Sequence, residues 1–201
     1  LHIEEIGQLD PLAVVYLDHD PKLCTNYTVD AHVRRGIQAA AQHLSNVWHE
    51  HGAELTYVDW ANPARAKEPT PPGELDWLRA ERFNQRILLA RESNHPATEW
   101  AGSLGGNYHW LWRYAMGLLM VWQLKTRGAP HPLAPTLYTL EVMPPLLLET
   151  CDTQTEPPLP AEVGRVLDGD YVDGVASWRA HYRAMPAAVQ KWSFRKRPDW
   201  L

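Results

Sequence analysis

The sequence predicts one mainly α-helical domain spanning residues 1–201, and three observations carry that prediction. Within YTVDAHVRRGIQAAAQHLSNVW, residues 27–48, the side chains of Val33, Ile37, Ala40, Leu44, Val47 and Trp48 fall on one arc at the α-helical period. The stretch NYHWLWRYAMGLLMVWQLKTRG, residues 107–128, is apolar on nearly all sides and too long for a strand, which marks a central buried helix. Residues suited to capping stand where these helices begin and end: Asp30 before the first, Gly52 and Gly128 after the two.

Taken in order, AVVYL at 13–17 is a short β-prone run that reads as a small strand or an extended arm packed on the helices. The first long helix runs from Asp30 to Gly52. A proline-dense loop, 57–73, precedes a weaker helical pattern over 74–90 with Leu75, Leu78, Ile87 and Leu88 inward, ended by Asn-His-Pro at 94–96. The buried helix follows over 107–127. From Pro130 to Pro160 the prolines predict an ordered crossing segment with one short helix near LYTLEV. A last helix, capped by Asp170, would carry Val172, Val175, Trp178, Tyr182 and Met185. The fold class is therefore helical, with a short N-terminal extended segment and Pro-rich crossing loops.

Composition bounds the function. The 201 residues are 45% hydrophobic, enough for one real core, and the formal charge of −5 gives no bulk attraction to nucleic acid. Any DNA contact must use a local patch. Two cysteines, Cys24 and Cys151, have no metal-ligand spacing and predict reduced thiols in a cytoplasmic protein. No apolar run is long enough for a membrane span, so no membrane partner is expected, and nothing calls for an obligatory protein partner or a cofactor. Aromatic rings usually fill cores, and ten Trp against two Phe leave room for several functional ones.

Four constellations could carry chemistry. On the first long helix His32, Gly36, Ala39 and His43 lie beside the apolar arc with Arg35 and Gln42 on the flank, a shallow trough able to receive a flat ligand or another helix. Asp18, His19 and Asp20, with Asp30 and His32, place carboxylates near imidazoles, suited to general-base work; Asp20 and Asp30 are equally suited to turns and caps. The His43, His49 and His51 set reads as helix histidines, with no metal site. At the break before the buried helix, Asn94, His95, Glu99 and Trp100 are followed by Asn107, Tyr108 and Trp110, where amides could read a base edge and rings could stack. Arg195, Lys196 and Arg197 beside Trp192 and Phe194, together with Arg34, suit a phosphate backbone.

Three segments, 18–44, 94–128 and 177–200, together resemble small helical phage and bacterial proteins of the pyrimidine-dimer DNA glycosylase (endonuclease V) type. The shared features are an Asp-x-His helix start (Asp30, His32), an Asn-His-Pro turn, a long later helix ending in Arg-Gly, and a Trp-rich C-terminus. The resemblance implies an all-helical enzyme that extrudes a pyrimidine from double-stranded DNA and cuts its N-glycosidic bond. The family pattern has a catalytic Glu seven positions after the motif His, where this chain has Ala39. That departure favours hydrolysis, with Asp20 or Asp30 activating water and His32 and Arg35 stabilising developing charge. Gly36 and Ala39 would be cleared for a bulky modified base, such as glucosylated hydroxymethylcytosine in phage DNA, and Asn94, His95, Trp100, Asn107 and Tyr108 would hold it. Removal of such bases would serve anti-phage defence. The other readings are a pyrimidine DNA-modification enzyme, a non-catalytic module that recognises modified DNA, and a trough that merely lets two helices pack.

Overall fold

Local chemistry sets each helix, starting with α1, Pro21–Tyr27. Proline at its first position needs no amide partner, and the Asp20 carboxylate accepts from Lys22 N at 2.8 Å. The structure, a computed structural model, describes residues 10–51, 87–168 and 171–201. α2 is Asp30–His51, and all six residues of its predicted apolar arc are at most 1% exposed. α3, Pro96–Ser103, starts at the Asn-His-Pro turn, where His95 Nδ1 accepts from Ala97 N at 3.1 Å. α4, Gly105–Lys125, is the central helix the sequence predicts, begun two residues early because Gly105 and Gly106 admit the chain around Leu147 and Thr153. It ends through Gly128, whose φ of 92° is easy for glycine.

α5, Ala134–Thr139, is the short helix expected near LYTLEV, overlapping it at 137–139 and starting one turn earlier, and a 3₁₀ helix, Pro145–Thr150, completes the proline-studded crossing. A two-stranded antiparallel hairpin then joins β1, Val166–Asp168, to β2, Tyr171–Asp173, with Leu167 opposite Val172. The last helix, α6, is Gly174–Ala184, capped by Asp173, which accepts from Ala176 N at 2.8 Å. This corrects the expected start at Asp170, a residue outside the described ones, and moves Val172 from the helix to a strand. Two β-prone pairs around a Gly-Asp step are a hairpin signal, and it outweighs the helical spacing of one valine.

α4 packs against α1, α2, α3, α5 and the 3₁₀ helix, so the chain is mainly α around one core. Residues 13–17 take the extended-arm alternative, each at most 7% exposed, and form no strand. The loop at 57–73, Leu75, Leu78 and Gly52 lie outside the described residues. Residues 87–95 contain no helix, although Ile87 is buried as expected. Among the described residues no helix is long and apolar enough to cross a membrane.

Candidate functional site

The trough on α2 is filled by the protein itself. A Cβ on Gly36 would lie 2.6 Å from Leu118 Cδ1 and 3.4 Å from Tyr114 Oη, both on α4, and Ala39 is 1% exposed. The small residues therefore allow two helices to approach, and the expectation that Gly36 and Ala39 admit a bulky base is corrected. His32 is buried against Tyr182, Nδ1 to Oη at 3.0 Å, and burial pushes its imidazole down to about 4. Arg34 and Arg35 are exposed.

Asp30 is a structural carboxylate. Its Oδ1 receives Arg195 Nη2 at 2.6 Å, its Oδ2 receives Ser193 N and Oγ, and Lys125 Nζ stands 3.8 Å away. Burial pushes its acid up, but the hydrogen bonds from Ser193 and Arg195 and the Lys125 charge outweigh that and hold it below the usual range. With both oxygens occupied and an 11% exposed side chain, it has little room for a reacting water. Arg195 is likewise committed: its Nη1 donates to the carbonyls of Thr25 and Thr28 at 2.8 Å, tying the C-terminal tail to the end of α1. Its assignment to the DNA backbone is therefore corrected. Lys196 pairs with Asp199 on the open surface, and Arg197 is exposed. Asp20 is exposed and serves as the α1 cap.

The aromatic and amide candidates before α4 are also packed. Asn107 is fully buried; its Nδ2 donates to Trp100 O, and its Oδ1 accepts from Thr155 N at 2.8 Å. Tyr108 Oη joins Trp48 Nε1 to the Leu140 carbonyl, and Trp100 Nε1 donates to Thr155 O. These side chains stitch the crossing segment to the helices and leave no face for stacking.

One constellation has both order and access. Asp10, at the first described position, lies beside His95: His95 Nε2 is 2.8 Å from Asp10 Oδ2, with side chains 15% and 34% exposed. Because His95 Nδ1 accepts from Ala97 N, the ring proton is on Nε2 and is donated to the carboxylate. Asp10 Oδ1 accepts from Leu12 N at 2.9 Å. Partial burial pushes the Asp10 acid up, and the bonds from His95 and Leu12 outweigh it, so the group stays ionised below its ordinary range.

Behind this pair lies a buried network whose proton directions follow from its partners. His43 Nε2 stands 2.7 Å from the Leu12 carbonyl, which can only accept, so that nitrogen carries the proton. His43 Nδ1 then accepts from Thr98 Oγ1 at 2.8 Å. Asn46, one turn along α2, donates to Arg91 O at 2.7 Å and accepts from Arg91 N at 3.2 Å. The His43 and His95 rings are 4.9 Å apart. Exposed Asn94 adjoins His95 in the same turn. Of the expected site residues, the fold thus brings His95 to Asp10, with exposed Asn94 next to His95 in the chain, and leaves Asp20, Asp30, Trp100, Asn107 and Tyr108 in other work. Sequence reasoning misses Asp10 because nothing in GQLDPLA distinguishes it from a turn residue before proline. Family models, curated proteins and solved structures compared with the chain give no match.

Proposed function

We propose that this protein is a DNA glycosylase that hydrolyses the N-glycosidic bond of an extruded, modified pyrimidine. The observation that carries the reading is Asp10: an ionised carboxylate, one third exposed, fixed by His95 and by the Leu12 amide, with exposed Asn94 next to His95 in the chain. Two of its lone pairs are used, and among the described residues no other hydrogen bond reaches the carboxylate, which can accept from a water. Hydrolysis of this bond builds positive charge on the sugar and negative charge on the leaving base, so an anion and nearby donors are what it requires. Asp10 takes a proton from the water, the water oxygen bonds to the sugar C1′, and the C–N bonding pair leaves with the base, which is then protonated by solvent. The Asn94 amide provides donor and acceptor for the base edge. The resemblance of the Asn-His-Pro turn and its neighbours to pyrimidine-dimer glycosylases supports the substrate class.

The test is incubation with duplexes carrying cytosine, hydroxymethylcytosine or glucosylated hydroxymethylcytosine, reading free base and abasic sites. Release from a modified duplex is expected, and Asp10→Asn should cut it at least about a hundredfold in a protein that still folds, with a modest drop in melting temperature from the lost charge beside His95. Tight duplex binding with no release from any substrate would replace the enzyme by a DNA-recognition module. An Asp10→Asn variant with full activity would move the chemistry elsewhere.

A further inference from the structure

The Asp10 carboxylate is held in part by a residue it never touches. The Leu12 peptide is gripped on both sides: its N–H donates to Asp10 Oδ1 at 2.9 Å, and its carbonyl accepts from His43 Nε2 at 2.7 Å. His43 is itself fully buried and oriented by the Thr98 hydroxyl at 2.8 Å. Thr98 belongs to α3, the helix whose first turn is capped by His95, the second residue that holds Asp10. One turn along α2, Asn46 pairs with both backbone groups of Arg91, and its Nδ2 also lies 3.4 Å from Thr98 Oγ1. His43 and Asn46 therefore reach the two segments that meet at the site, residues 10–12 and residues 91–95, and Thr98 links them.

We infer that His43 is a positioning residue for the proposed glycosylase site: through the Leu12 peptide it sets the Asp10 carboxylate against His95 and the Asn94 turn, with Asn46 fixing the turn from the same helix. This rests on the functional reading above for its catalytic consequence, but not for the geometry. A buried, neutral imidazole suits the task because it supplies one donor and one acceptor in fixed directions, as the Leu12 carbonyl and Thr98 hydroxyl require. Glutamine carries the same pair of functions on a flexible chain, whereas leucine fills the space and supplies neither.

The experiment compares the full-length parent with His43→Leu, His43→Gln and Thr98→Val. The Asp10 carboxyl is titrated by carbon NMR, and base release is measured on the modified duplex. In His43→Leu the Asp10 titration should move up toward the ordinary aspartate value. Its kcat should fall by about tenfold to a hundredfold, the scale of a misplaced reacting group, with KM within about twofold. His43→Gln should restore most of both. Thr98→Val, which removes only the hydroxyl, should move both in the same direction by less, and it decides the matter if His43→Leu does not fold. An Asp10 titration unchanged in every folded variant overturns the inference. A shifted titration in a protein that releases no base from any duplex upholds the positioning role and overturns the functional reading instead.

Discussion

Buried histidines make the protein sensitive to mild acid, His32 and His43 most of all. Burial pushes His32 and His43 each down to about 4, against about 6.5 for the exposed side chain. Between those values the unfolded chain has bound a proton that the folded one has not, so stability falls as pH drops from about 6.5 toward 4. Each site is worth roughly 3 kcal/mol across the window. The lowered acids Asp10 and Asp30 act in the same sense further down: their contribution is present above the ordinary value of 3.8 and is lost as pH falls through their folded values. Urea unfolding at pH 7 and near pH 5 should show the loss, and His43→Gln should remove part of it, the rest coming from His32 and the less buried His109, His131 and His181. An identical midpoint at both pH values would contradict the burial of the rings. At this scale the sequence shows which residues have chemistry and not which have partners. Asp30 looks like a cap or a base in sequence, and only the return of the C-terminal tail, which is distant along the chain, reveals Arg195 and Ser193 on its oxygens.

The helices are more legible than the site because their signal is local. The α2 arc survives in the structure residue for residue, and α4 is the central helix but is covered on one side, with Met120 and Leu124 exposed, because a buried face repeats every few positions. What each small residue faces depends on another element, and so the trough on α2 reads in sequence either as a ligand surface or as a helix contact. The structure chooses the contact, with consequences for substitution. Gly36 meets a side-chain methyl of Leu118, which can rotate, so Gly36→Ala should stay within about 1 kcal/mol of the parent once the helix gain is counted. At Gly106 a Cβ would meet the Thr153 backbone carbonyl at 2.1 Å, which cannot swing aside, and Gly106→Ala should cost about 3 kcal/mol. Leu118→Asp, at a fully buried position, should cost roughly 3–5 kcal/mol through an unpaired charge. Thermal melts rank the three; a Gly36→Ala melt below that of Gly106→Ala would reverse the packing argument.

For the molecule as a whole, a formal charge of −5 means that the proposed contact with DNA must come from a local surface. The tail that looks basic in sequence offers less than its composition suggests, because Arg195 is held inside by Asp30 and two carbonyls and Lys196 is paired with Asp199. Arg34 and Arg35 differ: both are exposed on α2 and make no ion pair among the described residues, and α2 also carries His43 and Asn46 beneath the Asp10 site. Reversing Arg34 and Arg35 together to Glu should therefore weaken binding to modified and unmodified duplexes alike. The dependence of log affinity on log salt should flatten by about 0.9 for each phosphate that these two arginines neutralise in the parent. Arg195→Ala should instead lower the melting temperature, because it releases a partly buried Asp30 and frees the end of α1. If the Arg34 and Arg35 reversals leave the salt slope unchanged while Arg197→Glu flattens it, the DNA lies across the C-terminal tail and α2 serves only to hold Asp10 in place.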